Sequence, residues 1–212
     1  MNKGFWAIIA VIVVIFGGIV FLKDNKAAAP TNSSAKPTSH TIGTSPAGVT
    51  LVEYGDYQCP YCGQFYPVVK QVQEKYNDKI VFQFRHLPLS QLHKNAFAAA
   101  RAAEAASLQG KFWEMHNLIY EQQNTWSQSG DAAAIFVQYA TQLNMNITQF
   151  KKDAASSKVN DTINADIQAF VNTGNEQSTP TFILDGKKIT PGYSVEAFSK
   201  YIDDELRAKA SS

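Results

Sequence analysis

The sequence predicts an α/β domain in which an all-helical segment interrupts a mixed sheet. The first observation is an apolar run over 49–54, typical of a buried strand, followed by apolar residues at helical spacing over 60–76. The second is a further strand pattern over 80–85, followed by one helical pattern after another over 91–173. The third is a short hairpin near the end of the chain, followed by an amphipathic helix. Parallel pairing of the first two strands needs a right-handed crossover, which the helix over 60–76 supplies.

The first segment of the chain is strongly apolar. Residues 5–22 form a stretch of 18 residues without a charge, close to the ~20 residues that span a bilayer. A cleaved secretory signal has a shorter apolar core, and cleavage after Ala29 would leave Pro30 at the start of the mature chain. We therefore predict an uncleaved transmembrane signal-anchor over 1–23, with a cleaved signal as the alternative.

A polar segment follows the predicted anchor. Residues 24–48 are rich in Ala, Ser, Thr, Pro and Asn, a composition that cannot bury enough apolar surface to fold. We predict a disordered linker over 24–48 and a folded domain over 49–210, with a helical insertion at about 90–174. The net charge of +1 gives no indication of nucleic-acid binding.

Periodicity and capping residues place the remaining elements. The turn pair Asp185-Gly186 indicates a tight hairpin, and Asn146 is a candidate helix N-cap. The predicted helices are 96–107, 112–122, 132–143, 147–155, 159–173 and 195–208, and the predicted hairpin strands are 181–184 and 187–189.

The two cysteines of the chain, Cys59 and Cys62, lie where the first strand gives way to the first helix. The first N–H groups of a helix have no backbone acceptor and its dipole is positive there, so a thiolate is stabilised. Pro60 suits the first helical position, where its missing N–H is not needed. We expect Cys59 to be exposed, with a pKa of roughly 4.5–6.5, and Cys62 to be shielded on the packed face of the helix.

Three kinds of site use such a cysteine pair. A structural disulfide closing so short a loop would stabilise the fold by only about 2 kcal/mol. A zinc site needs about four ligands, and the histidines are scattered through the sequence, so we predict no metal. In a redox dithiol, Cys59 would attack and Cys62 would resolve the mixed disulfide.

Four segments resemble the DsbA-like branch of the thioredoxin superfold. They are Asp-Tyr-Gln-Cys-Pro-Tyr-Cys over 56–62, Phe-Arg-His-Leu-Pro-Leu over 84–89, Gln-Gly-Lys-Phe-Trp over 109–113 after an alanine-rich helix, and Ser-Thr-Pro-Thr-Phe over 178–182. The resemblance covers residues 49–208. It implies a thioredoxin-like fold with a helical insertion and a thiol–disulfide exchange activity that uses no metal and no organic cofactor.

The resemblance also implies roles for particular residues. Pro180 matches the family's cis-proline beside the CxxC motif, so the backbone of Thr179 is expected to pair with an extended peptide substrate. Glu53 resembles the buried acid beneath the disulfide, with a role in proton exchange with Cys62; the alternative is a glutamate at the solvent edge of the strand. Tyr61 stands where strongly oxidising members carry histidine, which leaves the direction of the reaction open.

The other polar residues near the motif are expected to have structural roles. Asp56, Tyr57 and Gln58 are predicted to shape the loop before the cysteines, and His116 to be a core histidine with a satisfied hydrogen bond. His86 and His93 flank a turn, and no nucleophile is expected beside them.

These inferences combine into one prediction of function. We expect the protein to introduce disulfides into reduced, exported polypeptides by exchange through Cys59 and Cys62, with a quinone-linked membrane partner as the reoxidant. The expected localisation is the cell membrane, as a single-pass protein with an extracytoplasmic catalytic domain. The alternatives are a disulfide reductase or isomerase of the same fold, or a tethered peptide-binding or chaperone module in which the cysteines are incidental.

Overall fold

A mixed five-stranded sheet forms the centre of the computed structural model, which describes residues 35–211. The strands are β1 (His40–Ile42), β2 (Thr50–Gly55), β3 (Val81–His86), β4 (Thr181–Leu184) and β5 (Lys187–Ile189). Their order across the sheet is β1-β3-β2-β4-β5. The central strands β2 and β3 are parallel, and every other neighbouring pair is antiparallel.

Helices lie in the order that the sequence patterns predict. They are α1 (Pro60–Lys75), α2 (Ala96–Ser107), α3 (Phe112–Glu121), α4 (Gln123–Trp126), α5 (Ala132–Gln142), α6 (Ile147–Ala154), α7 (Ser157–Val171) and α8 (Val195–Ala210). Asn146 caps α6 as predicted, because its Oδ1 accepts a hydrogen bond from the backbone N–H of Gln149 at 3.0 Å. The predicted α/β fold with a helical insertion is confirmed. The short helix α4 was not predicted.

Alternation along β2 sends its side chains to two different layers of the fold. Leu51 packs in the main core with Phe65 of α1, whereas Tyr54 packs with Phe170 of α7 on the opposite face. Glu53 has the same parity as Leu51, so its carboxyl points to the face that α1 covers. The strand therefore brings an acidic side chain under the helix that carries the cysteines.

The helical insertion is built around α2. This helix packs against α3, α5, α6 and α7. Its alanines are nearly all buried, and such small side chains allow neighbouring helices to approach closely. Glu104, a charged residue, is buried among them.

The segment before β2 is folded, which corrects the predicted linker. Residues 35–48 include β1, which pairs antiparallel with β3 through His40 and Phe84, among others. Thr38 is buried, and both its N–H and its Oγ1 donate to the carboxylate of Asp166 at 2.7 Å. The prediction of disorder over 24–48 is therefore wrong for residues 35–48, and residues 24–34 lie outside the described residues.

The turn after β1 is also packed against the domain. Gly43 has a φ of +85°, and a Cβ there would lie 2.6 Å from the carbonyl oxygen of Ile80. The next residue, Thr44, donates its N–H to the carbonyl oxygen of Asn77 at 2.8 Å. Only glycine fits this left-handed, crowded position, so the turn is a specific part of the fold.

The predicted localisation also needs correction. No helix within residues 35–211 combines the length and the apolar composition needed to cross a membrane. The single-pass placement in the cell membrane is therefore withdrawn. The predicted signal-anchor over 1–23, on which that placement depended, lies outside the described residues.

Candidate active site

Cys59 occupies the N-cap of α1, at the turn that follows β2. Its ψ of 123° is extended rather than helical, and Pro60 fills the first helical position. The carbonyl oxygen of Cys59 accepts the first hydrogen bond of the helix, from the N–H of Gly63 at 3.1 Å. This geometry places the Cys59 side chain where unpaired amide groups and the positive end of the helix dipole stabilise negative charge.

The two thiols have opposite acidities. A hydrogen bond from the Cys62 thiol is the largest cause that lowers the pKa of Cys59 from 9.0 to about 6. Burial opposes this shift, while Thr179 and the backbone amides of Tyr61 and Cys62 add to it. Burial raises the pKa of Cys62 well above the usual value, and the hydrogen bond to Cys59 adds to that effect. Cys59 is therefore the thiolate of the pair and Cys62 the thiol.

Both cysteines are buried, which corrects the expectation that Cys59 is exposed. Cys59 is 4% exposed and Cys62 is fully buried, and both are free thiols in the structure. The order of accessibility is the predicted one, but the difference is small because the segment before β4 covers the Cys59 sulfur. The exposed members of the motif are instead Pro60 and Tyr61, and Tyr61 is 59% exposed.

Glu53 is buried in β2, between β3 and β4, and is 3% exposed. The alternative of a solvent-edge glutamate is therefore excluded. Burial is the main cause that raises its pKa from 4.5 to about 8, and the negative charge of Cys59 adds to the shift. A carboxyl group with this pKa holds a proton at neutral pH and can exchange it.

The segment before β4 faces the Cys59 sulfur. The peptide bond between Thr179 and Pro180 is cis. The Cys59 Sγ lies 3.4 Å from the carbonyl oxygen of Thr179, to which it donates when the thiol is protonated. The side chain of Thr179 also interacts with this sulfur, because its hydrogen bond helps to lower the pKa of Cys59.

Asp56 organises the loop before the motif, as expected. One carboxylate oxygen accepts from the N–H of Gln58 at 2.7 Å. The other accepts from the N–H of Leu89 at 2.8 Å and from Nδ1 of His93 at 2.7 Å. The sequence did not suggest this link to His93, because the two residues are 37 positions apart and belong to no shared motif.

Gln58 and Tyr57 attach the same loop to the helical insertion. Gln58 Nε2 donates to the carbonyl oxygen of Ser127 at 2.7 Å, and its Oε1 accepts from the N–H of Asn95 at 2.6 Å. The hydroxyl of Tyr57 lies 3.0 Å from Nδ1 of His116. His116 is thus a buried core histidine with a hydrogen-bond partner, as predicted.

The fold also joins two histidines that looked unrelated in the sequence. Nε2 of His40 and Nε2 of His86 lie 2.5 Å and 2.7 Å from the same oxygen of Glu104. Burial raises the pKa of Glu104, but the hydrogen bonds from both imidazoles outweigh it and lower that pKa to about 2. The three groups have the ligand types of a metal site.

The protonation that a metal would need does not suit this cluster. A metal bound at Nε2 of His86 would leave the proton on Nδ1, and metal-bound histidines normally donate that proton to a partner. Within residues 35–211, Nδ1 of His86 is buried without any partner. We therefore interpret the cluster as hydrogen bonds that hold β1 against β3 and α2.

Comparison with known proteins agrees with this geometry. A family model described as Thioredoxin matches residues 35–204, about four fifths of the chain. BdbD from Bacillus subtilis, in its oxidised form, superposes with a TM-score of 0.70 at 23% identity, covering 82% of this chain and 97% of its own. Alpha-DsbA1 from Wolbachia pipientis also gives 0.70, at 21% identity, covering 82% and 94%. A thioredoxin-like oxidoreductase from Silicibacter pomeroyi DSS-3 gives 0.65 at 26% identity, with the same coverage.

Sequence relatives include much longer proteins. Over 160 residues the chain is 37% identical to the Na⁺/H⁺ antiporter NhaA 3 of Salinispora tropica, covering 76% of this chain and 24% of the antiporter. The chain thus spans about a quarter of the length of the curated relatives it matches. The resemblance to the DsbA-like branch is confirmed at the level of the fold, and the family match, which begins before β1 and ends in α8, includes the cysteine pair. The chain belongs to the thioredoxin family.

Proposed function

We propose that the protein is a thiol–disulfide oxidoreductase that oxidises reduced polypeptides, exported proteins among them, through a Cys59–Cys62 disulfide. The observation that carries this proposal is the asymmetry of the two thiols. The Cys59 thiol has a pKa of about 6, while burial raises the pKa of Cys62 well above its usual value. A disulfide whose reduced form is stabilised as a thiolate is an oxidant.

The reaction proceeds by two exchanges. A substrate thiolate attacks the Cys59 sulfur of the oxidised protein, which forms a mixed disulfide and breaks the bond to Cys62. A second substrate thiolate attacks the substrate sulfur of that mixed disulfide and releases Cys59 as a thiolate. The cysteine pair gains the two electrons that the substrate loses. Cys62 takes up one proton, Cys59 remains a thiolate, and the second proton of the substrate thiols goes to solvent.

Glu53 supplies a proton during the first exchange. Cys62 leaves as a thiolate in a buried site, where its high pKa favours protonation. The Glu53 carboxyl, with a pKa of about 8, holds a proton at neutral pH and passes it towards Cys62. We assign it this role by position, on the sheet face under α1.

The segment at Thr179 and Pro180 receives the substrate chain. Its backbone faces the Cys59 sulfur, so an extended peptide that pairs with it would bring a substrate cysteine within reach of the disulfide. Reoxidation of the cysteine pair requires an external electron acceptor, and we propose a quinone-linked membrane protein for that step.

A trapping experiment tests the proposal. The variant Cys62→Ser, with Cys59 activated as its mixed disulfide with thionitrobenzoate, is mixed with an equimolar amount of a reduced, unfolded polypeptide that carries a single cysteine. Attack on the Cys59 sulfur should release thionitrobenzoate and leave a high-mass adduct that dithiothreitol removes. The adduct should persist, because neither Cys62 nor a second thiol of the substrate is present to resolve it. Cys59→Ser is the matched control and should form no adduct.

The same pair of variants separates this activity from a binding module. If Cys59→Ser suppresses aggregation of unfolded ribonuclease A as well as the unmodified protein does, and Cys62→Ser forms no adduct, the cysteines are incidental. That result would contradict the proposed function.

A further inference from the structure

The side chain of Gln123 connects the helical insertion to the turn that carries Cys59. Its Nε2 donates to the carbonyl oxygen of Tyr57 at 2.7 Å and to that of Cys59 at 2.9 Å. Gln123 is the first residue of α4 and is half-buried. One amide group of the insertion therefore holds two carbonyl groups of the active-site turn.

These contacts come at a point where the turn has only one hydrogen bond of its own to the peptide unit between Cys59 and Pro60. Pro60 has no N–H, so the peptide unit between Cys59 and Pro60 can be held only through its carbonyl oxygen. That oxygen accepts from Gly63 N–H at 3.1 Å and from Gln123 Nε2 at 2.9 Å. The Gln123 amide is thus one of two donors that orient this peptide unit.

Gly63 provides the space in which the Gln123 amide lies. A Cβ at Gly63 would be 2.5 Å from Oε1 and 3.0 Å from Cδ of Gln123. Both atoms belong to the end of a flexible side chain, so an added methyl group would displace the amide rather than the backbone. Glycine at this helical position therefore leaves the space that the glutamine at the start of α4 needs to reach the turn.

We propose that Gln123 is a positioning residue for disulfide exchange. By holding the carbonyl groups of Tyr57 and Cys59, it keeps the first turn of α1 in the geometry that stabilises the Cys59 thiolate, and so makes the disulfide more oxidising. This proposal rests on the proposed function, because it assigns Gln123 a role at the same cysteine pair. Gln123 acts through the backbone and does not contact the sulfur in the exchange.

The donors that depend on the shape of this turn are the backbone amides of Tyr61 and Cys62. They stabilise the Cys59 thiolate and so lower the pKa of Cys59. They point at the sulfur only while the turn keeps its shape. Losing the Gln123 contacts weakens them by an amount comparable to one hydrogen bond, about three- to tenfold in the ratio of thiolate to thiol. The reduced form then becomes less stable relative to the disulfide.

The test compares Gln123→Ala with the unmodified full-length protein in glutathione buffers. The equilibrium constant for oxidation by glutathione disulfide should rise about three- to tenfold, which corresponds to a potential about 14–30 mV more negative. Thiolate absorbance should show the pKa of Cys59 about 0.5–1 higher in the variant. A purely structural role would lower the unfolding free energy and leave both quantities unchanged.

A second variant perturbs the same contact from the other side. In Gly63→Ala the methyl group displaces the Gln123 amide, so the potential and the pKa of Cys59 should shift in the same direction. The helix itself should be at least as stable, because alanine is the better helix former. In the Gln123→Ala background the amide that the methyl group would displace is absent, so Gly63→Ala should cause no further shift.

Gln122→Ala is the matched control. Gln122 is the neighbouring exposed glutamine, and its Oε1 accepts from Thr125 Oγ1 at 3.3 Å, away from the turn. Its removal should change neither readout. Unchanged potential and pKa in Gln123→Ala, or equal shifts from Gly63→Ala in both backgrounds, would overturn the proposal. Failure of the trapping experiment would instead count against the proposed function, because these equilibria need no polypeptide substrate.

Discussion

Replacing Glu53 with Gln should make the reduced protein more stable, and the gain should grow with pH. The pKa of Glu53 is 4.5 in the unfolded chain and about 8 in the fold, mainly because the carboxyl is buried. At a pH between these two pKa values, the Glu53 carboxyl is protonated in the folded state and ionised in the unfolded state. Glu53 therefore lowers the free energy of unfolding as pH rises. The slope approaches ~1.4 kcal/mol per pH unit, and integration from pH 5 to pH 8 gives about 3–4 kcal/mol.

Urea unfolding of both proteins at pH 5, 6, 7 and 8, under dithiothreitol, measures this difference. The other titrating groups are common to both proteins and cancel to first order. Glu74→Gln, an exposed carboxyl on α1, is the control and should show no such trend. A difference between Glu53→Gln and the parent that stays constant from pH 5 to pH 8 would refute the argument, since it would mean that Glu53 titrates near its ordinary pKa.

Three further predictions concern the cysteine pair and the N-terminal strand. Brief alkylation of the reduced protein at pH 7 should label Cys59 first although it is buried, because its pKa is about 6; preferential labelling of Cys62 would reverse their roles. Tyr61→His should raise the reduction potential, because an imidazolium at this exposed position would stabilise the thiolate; an unchanged value would contradict the electrostatic explanation. Asp166→Ala should leave the buried groups that donate to this carboxylate without an acceptor and destabilise the fold by about 3–5 kcal/mol. Hydrogen exchange over 38–42 should become faster, and an unchanged exchange rate there would contradict the role of Asp166 in holding this segment.

Local sequence patterns predicted most of the helices and strands, because helical spacing, capping and turn formation depend on residues that are close in the chain. The apolar spacing of α1, the cap at Asn146 and the turn at Asp185 all act within a few residues, and each appears where it was expected. The buried position of Glu53 followed from the resemblance to the DsbA-like branch, because the strand pattern by itself left a position at the solvent edge open.

The features that the sequence did not reveal depend on contacts between distant residues. β1 has only three residues, and its hold on the domain comes from Thr38 with Asp166, 128 positions away, and from His40 with Glu104, 64 positions away. Gln123 reaches Cys59 across 64 positions from a helix of four residues. No periodicity or short motif records such contacts, so a single sequence leaves them unassigned.

The oxidase assignment depends most directly on the reduction potential of the Cys59–Cys62 pair. Equilibration of the protein with glutathione buffers at pH 7, followed by quantification of the two redox forms, gives this value. A Cys59 pKa of about 6 stabilises the reduced form, so we predict roughly −120 to −200 mV, between the DsbA and glutaredoxin values. A potential near about −270 mV, the value of thioredoxin, would identify a reductase and contradict the account.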